Sequence, residues 1–177
     1  MRAFVALELP FEFEEDVAAL ARQLSATVGG RFVPRENYHV TLAFLNEIGE
    51  AEAASAIDAL EAACAGFGLL ELRPDGLGVF GRSTDSTLYL RLAETPELTA
   101  LAAHVAVELL DRNVFFDDSH EYRPHVTLAR RAKMPQGELG DLVFPRPAEA
   151  PRATLFKSTL SAEGASYKPL YSVELGV

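Results

Sequence analysis

His39-Val40-Thr41-Leu42-Ala43 recurs unchanged as His125-Val126-Thr127-Leu128-Ala129. Each copy sets a His and a Thr two residues apart among apolar neighbours. Side chains of a strand alternate between its faces. His39 and Thr41 therefore share one face, with Val40, Leu42 and Phe44 expected behind them. In the second copy His125 and Thr127 share a face, with Val126 and Leu128 behind. Two copies of one unit imply two related halves. If the halves face each other, two imidazoles and two hydroxyls converge.

The surrounding pattern supports a duplicated α+β unit. Residues 2–9 read as a buried strand. Residues 11–28 carry Val17, Leu20, Leu24 and Val28 at helical spacing, and Gly29-Gly30 supplies a stop. Residues 38–45 form the first His-Thr strand. Residues 50–65 read as a helix, with Ile57, Leu60 and Cys64 on one face. Residues 68–73 and 77–80 are either one strand broken at Pro74-Asp75-Gly76 or a hairpin. Residues 87–92 alternate as a strand, and Pro96 opens a helix reaching about Arg112. Residues 123–130 form the second His-Thr strand, and 152–161 with 167–175 make a closing pair. The order is β-α-β-α-β, then β-α-β, a short helix or loop, and β-β. Residues 1–177 are expected to form a single domain with two lobes.

The 177 residues are 49% hydrophobic, enough for a sizeable core. The net charge of −10 excludes broad adhesion to a nucleic-acid backbone, so nucleic-acid contact should be local, at a chain end or a small nucleotide. Cys64 is the only cysteine, which excludes an internal disulfide and a thiolate metal cluster. The segment Met1 to Glu8 is too short and too soon acidic for a signal peptide. No apolar run is long enough for a membrane span. The expected location is cytoplasmic.

An imidazole near neutral pH either accepts or donates a proton. Two of them on opposite sides of a phosphorus atom suit in-line displacement, one activating the incoming oxygen and the other protonating the departing one. Thr41 and Thr127 would donate hydroxyl hydrogen bonds to non-bridging phosphate oxygens. One His-x-Thr in a strand is ordinary packing; two identical copies turn the reading to chemistry. Arg130, directly after the second copy, would pair with a phosphate. Simple alternation aims it away from His125, so it needs a bulge, twist or strand end to reach the site. Phe44 holds the corresponding place in the first copy.

Other polar groups read as structural or peripheral. Arg131 and Lys133 add positive charge that a solvated loop would also carry. Phe80 and Tyr89 could stack on a base, though a core role accounts for each. Lys157, Ser158 and Tyr167 are weaker candidates. His104 reads as helix packing or surface and His120 as surface. Asp117, Asp118 and Glu121 have no complete metal-ligand spacing. Gly76, Gly78 and Gly81 precede no clear helix, which argues against an ATP loop.

The paired motifs and their flanks resemble the 2H phosphoesterase superfamily, and within it the RNA 2′,3′-cyclic phosphodiesterases, also called 2′-5′ RNA ligases. The resemblance runs from Arg2-Ala3-Phe4-Val5-Ala6-Leu7 through Val33-Pro34, both motifs and Tyr122-Arg123-Pro124, to Leu155-Phe156-Lys157-Ser158 and Tyr167. Asn46 departs from it, since the family's first motif usually continues Phe-Leu-Gly. The resemblance implies a bilobal fold of antiparallel sheets flanking a central, pseudo-two-fold cleft. It implies hydrolysis of a 2′,3′-cyclic phosphate to a 2′-phosphate with no metal or other cofactor, and no obligate protein partner. His39 would protonate the leaving O3′ and His125 would activate water, while Thr41, Thr127 and Arg130 hold the phosphate. The partners implied are RNA 3′ ends or small nucleotides bearing the cyclic phosphate, with 2′-5′ joining as the reverse reaction. Two alternatives stay open: a non-catalytic module that binds RNA ends or nucleotides, and a phosphodiesterase for another small cyclic phosphate.

Overall fold

The computed structural model describes residues 1–176. Ten strands and three α-helices are present among them: β1 (Arg2–Leu7), α1 (Phe11–Ser25), β2 (Gly29–Phe32), β3 (Val40–Glu47), α2 (Glu50–Cys64), β4 (Leu70–Leu72), β5 (Pro74–Arg82), β6 (Asp85–Leu92), α3 (Pro96–Asp111), β7 (His125–Lys133), β8 (Ala148–Ala150), β9 (Arg152–Ser161) and β10 (Gly164–Glu174). One antiparallel sheet has the order β10-β9-β1-β3, and the other β2-β7-β6-β5. Strands β4 and β8 make a small third sheet.

The duplication is visible in the topology. In one sheet β1 pairs with the His-Thr strand β3, and α1 lies between them in sequence; in the other β6 pairs with the His-Thr strand β7, and α3 lies between them. The two His-Thr strands touch where the sheets meet. Ala3, Val5 and Leu7 alternate into the core on the back of β1, and Leu88 and Leu90 do so on β6. Helix α2 covers β9 and packs on α3, with Ala53, Ala56, Ala59, Leu60 and Ala63 buried. Helix α3 starts where Pro96 predicts: the Thr95 hydroxyl accepts a hydrogen bond from the Leu98 N–H at 3.3 Å.

Two details differ from the sequence reading. Gly29-Gly30 does not simply stop α1, which ends at Ser25; both glycines belong to β2. The Pro74-Asp75-Gly76 stretch is neither a strand break nor a hairpin turn, because β4 joins β8 while β5 joins β6. The segment between β7 and β8 forms a loop, one of the two forms expected for it.

The largest correction concerns alternation. In the β1–β3 pair, Ala6 faces Thr41 but Val5 faces Ala43, so Leu42 is an extra residue. In the β6–β7 pair, Tyr89 faces Thr127 but Leu88 faces Ala129, so Leu128 is an extra residue. These are β-bulges at the same place in both copies. Each buries two consecutive residues, Leu42 with Ala43 and Leu128 with Ala129. The next residue is thereby returned to the His-Thr face. Phe44 is not behind the motif: its ring lies 6.2 Å from that of Phe4, which itself lies 4.8 Å from the His39 ring. Arg130 is turned to the His125 side by the equivalent bulge.

A second irregularity follows in β7, where Arg131 adopts φ 50°. Gly30 crosses it with φ +120°, and a Cβ there would lie 2.6 Å from the Arg131 carbonyl oxygen and 2.7 Å from the Ala132 Cα. Both atoms are backbone, so neither can rotate away. Gly30→Ala should therefore lower stability by at least about 2 kcal/mol, from the overlap and the unfavourable φ together. Thermal or urea unfolding checks this; an unchanged midpoint would refute the close approach.

Candidate active site

Both His rings are aimed by the same local device. The carbonyl of the residue two positions earlier accepts a hydrogen bond from Nδ1: Asn37 O from His39 at 2.8 Å, and Arg123 O from His125 at 2.8 Å. With Nδ1 as donor, the neutral ring carries its lone pair on Nε2. For His39, Nε2 lies 3.0 Å from the Thr41 hydroxyl, which donates to it while the ring is neutral. Among the described residues, His125 Nε2 has no hydrogen-bond partner. Thr127 sits half-buried one alternation further along β7, opposite Tyr89.

The rings are walled by different aromatics. His39 lies between Phe4 and the edge of Tyr167, 5.3 Å away. His125 lies 5.1 Å from Tyr89, which stacks on Phe80 at 4.7 Å. Gly78 makes room for Tyr89 on the facing strand; a Cβ at Gly78 would come within 2.5 Å of that ring. Tyr167, a weak candidate in the sequence, is thus in contact with the His39 ring. Lys157 is exposed and falls on the face opposite Phe156, away from that aromatic cluster. His104 packs edge-on against Phe67 in α3, outside the site.

The surroundings of His39 act strongly on its titration. Burial pushes His39 down to about 4, and the charges of His125 and Arg130 push in the same direction, against the favourable Asn37 carbonyl. The His125 and Arg130 charges thus lie close enough to act on His39. Near neutral pH the free site holds His39 neutral.

Asn37 is a residue the sequence reading passed over. It is buried, its carbonyl holds His39, and its Nδ2 donates to Ala165 O in β10 at 2.9 Å. The short 3₁₀ turn Arg35–Asn37 before β3 puts it there. The only signal available was position, two residues before His39, matching Arg123 before His125.

A cavity of about 700 Å³ opens beside His125, between Thr41 to Phe44 of β3, Phe80 of β5 and the loop preceding His125. That loop contributes Asp117, His120, Glu121, Tyr122 and Arg123 to the wall. His120, read as surface, therefore lines the cleft. The loop is fastened to β3 by the Asp117 N–H, which donates to the Phe44 carbonyl at 2.8 Å. Among the described residues, no three His, Cys, Asp or Glu side chains are grouped to hold a metal ion. Among the described residues, no helix is long and apolar enough to cross a membrane.

Known proteins share this architecture. A crystal structure of a Thermus thermophilus protein superposes with a TM-score of 0.85 at 23% identity, covering 99% of this chain and 98% of that one. Escherichia coli LigT complexed with 3′-AMP superposes with a TM-score of 0.79 at 24% identity, covering 98% and 97%. The Archaeoglobus fulgidus RNA 2′,3′-cyclic phosphodiesterase is 29% identical over 96% of this chain and 98% of its own length. The Escherichia coli RNA 2′,3′-cyclic phosphodiesterase is 30% identical over 74% of this chain and 72% of its own length. The family model of the 2′-5′ RNA ligase superfamily matches residues 9–155, a span that includes both His-Thr strands and both bulges. The chain belongs to the 2′-5′ RNA ligase superfamily.

Proposed function

We propose that the protein hydrolyses the 2′,3′-cyclic phosphate of RNA 3′ ends or nucleotides to a 2′-phosphate, by general acid–base catalysis between His39 and His125. The observation that carries this reading is the repeated device itself. Two His-Thr strands meet, each His is tied at Nδ1 to the carbonyl two residues back, and the bulge after each Thr adds one more side chain to the same face. Relatives bearing the name RNA 2′,3′-cyclic phosphodiesterase support the substrate class.

In this scheme His125 Nε2, free of protein partners among the described residues, takes a proton from water as the water oxygen attacks phosphorus. The P–O3′ bond breaks, its electron pair goes to O3′, and His39 delivers the proton there. Thr127 and Arg130 hold non-bridging oxygens. Thr41 couples to the protonation of His39. While His39 is neutral the Thr41 proton points at Nε2; once Nε2 is protonated, that hydroxyl is free to donate to the phosphate. A 5′-hydroxyl in place of water would run the joining reaction through the same groups. The cyclic phosphate would be its only energy source.

The test is incubation with a nucleoside 2′,3′-cyclic phosphate in EDTA, reading products by phosphorus NMR. The 2′-monophosphate should form without added metal. His39→Ala and His125→Ala should each cut turnover by about 10²–10⁴-fold while the fold persists. A 3′-phosphate product, dependence on a restored divalent ion, or a folded His variant of normal rate would each overturn the scheme. A chain that binds the nucleotide and never turns it over would instead be a binding module.

The depressed His39 makes a specific pH prediction. In the free site, protonated His39 is scarce above about pH 4. A phosphodiester anion between the rings favours the imidazolium and raises that pKa. Activity that needs protonated His39 is lost as pH rises through its pKa. The alkaline limb should therefore lie at higher pH for kcat, which reports the complex, than for kcat/KM, which reports the free enzyme. Limbs that coincide, or lie in reverse order, would remove His39 as the acid.

Arg130→Ala should lower kcat/KM by about 10–100-fold, the scale of a hydrogen bond to a charged group. It should also raise the His39 titration seen by NMR, because one opposing charge is gone. An unmoved titration and an unchanged rate together would place the guanidinium outside the mechanism.

A further inference from the structure

The geometry points to Asp117 as the group that reads the nucleobase, favouring a base with an exocyclic amine, such as cytosine, over uracil. This rests on the phosphodiesterase reading of the cleft and extends it to specificity. With the phosphate held among His39, His125 and Arg130, the nucleoside joined to it needs space next to that point. The cavity lined by Thr41 and His125 offers such space, and its volume of about 700 Å³ suits a small polar ligand with aromatic parts. Phe44 and the half-exposed Phe80 give it apolar surface for the faces of a base. Polar groups on its rim meet the base edge.

Among those groups Asp117 is the one held in place. Its backbone N–H donates to the Phe44 carbonyl at 2.8 Å, so it moves with the strand that carries Thr41. Its Oδ1 accepts from the Ser119 N–H at 3.0 Å and the Ser119 hydroxyl at 2.5 Å. Those bonds also hold the carboxyl below the usual carboxylate range, so it stays ionised. Its Oδ2 makes no hydrogen bond among the described residues. A carboxylate only accepts. Cytosine offers N4–H₂ to such an acceptor, whereas uracil sets O4, another acceptor, against it. Glu121 in the same wall adds a second acceptor; Arg123 and His120 supply donors that either base can use.

The test compares cytidine and uridine 2′,3′-cyclic phosphates by kcat/KM, and 2′-CMP with 2′-UMP by calorimetric binding, in the wild type and Asp117→Asn. The wild type should favour the cytosine ligands by about tenfold or more in both measurements. Asp117→Asn keeps the size of the side chain and adds a donor that uracil O4 can accept, so the preference should collapse towards unity or invert. A wild-type ratio within twofold, or a ratio that Asp117→Asn leaves unchanged, overturns the assignment. If neither cyclic nucleotide is turned over, the phosphodiesterase reading fails, and the binding ratio of the two monophosphates still decides the base-reading role.

Discussion

The partner of one imidazole nitrogen sets which nitrogen carries the proton, and here that partner is a backbone carbonyl two residues upstream. The hydrogen bonds from His39 to Asn37 O and from His125 to Arg123 O select the same tautomer in both rings. They also explain why the residues before each motif matter. Asn37 is held by the β9–β10 hairpin, so the orientation of His39 depends on the far edge of its sheet. Arg123 lies on the loop that forms the cavity wall, so the orientation of His125 depends on the substrate side. One repeated hydrogen bond thus sits in two different environments, and this makes a near-symmetric pair chemically unequal.

The second constraint is the bulge. A strictly alternating strand would present His and Thr to the cleft and hide the next functional position. One extra residue per copy, Leu42 and Leu128, buries two apolar side chains in succession and reverses the parity beyond. In one lobe this delivers Phe44, and in the other Arg130. The lobes share a backbone solution and differ in what it presents: an aromatic surface on one side and a cation on the other. Asn46 belongs to the same accommodation. It stands at φ 61° where β3 is irregular again, a conformation that Gly adopts freely and Asn tolerates better than most residues.

Most of the element order was legible because it is local. Apolar spacing marks α1 and α2, Pro96 marks the start of α3, and the repeated pentapeptide marks β3 and β7. What escaped the sequence depends on partners distant in the chain. Residues 29–32 have little intrinsic strand character and become β2 because β7 offers an edge and Gly30 permits close approach. Strands β4 and β8 are three residues each and pair across most of the chain's second half. The bulges are relations between registers, so neither strand alone encodes them. The site divides the same way. His39, His125, Thr41 and Thr127 follow from composition and spacing. The placement of Arg130 and Phe44, the clamp at Asn37 and the entry of His120 into the cleft require tertiary pairing.

Charge ties these elements together. The chain carries a net −10, yet the charges that act on His39 are those of a second imidazole and a guanidinium, with no carboxylate beside them. Burial first, and the neighbouring positive charges after it, keep the His39 imidazole neutral. In the proposed reaction a phosphodiester would bring the opposing negative charge. Binding it and protonating His39 would then be one linked event, each favouring the other. The acidic groups lie instead on the cavity wall, at Asp117 and Glu121, where a base edge rather than a phosphate would meet them. This division favours one orientation of a nucleotide, phosphate towards the His pair and base towards the loop, and the reverse orientation sets phosphate against carboxylate. On the proposed reading, that division would set the orientation before any individual hydrogen bond to the substrate forms.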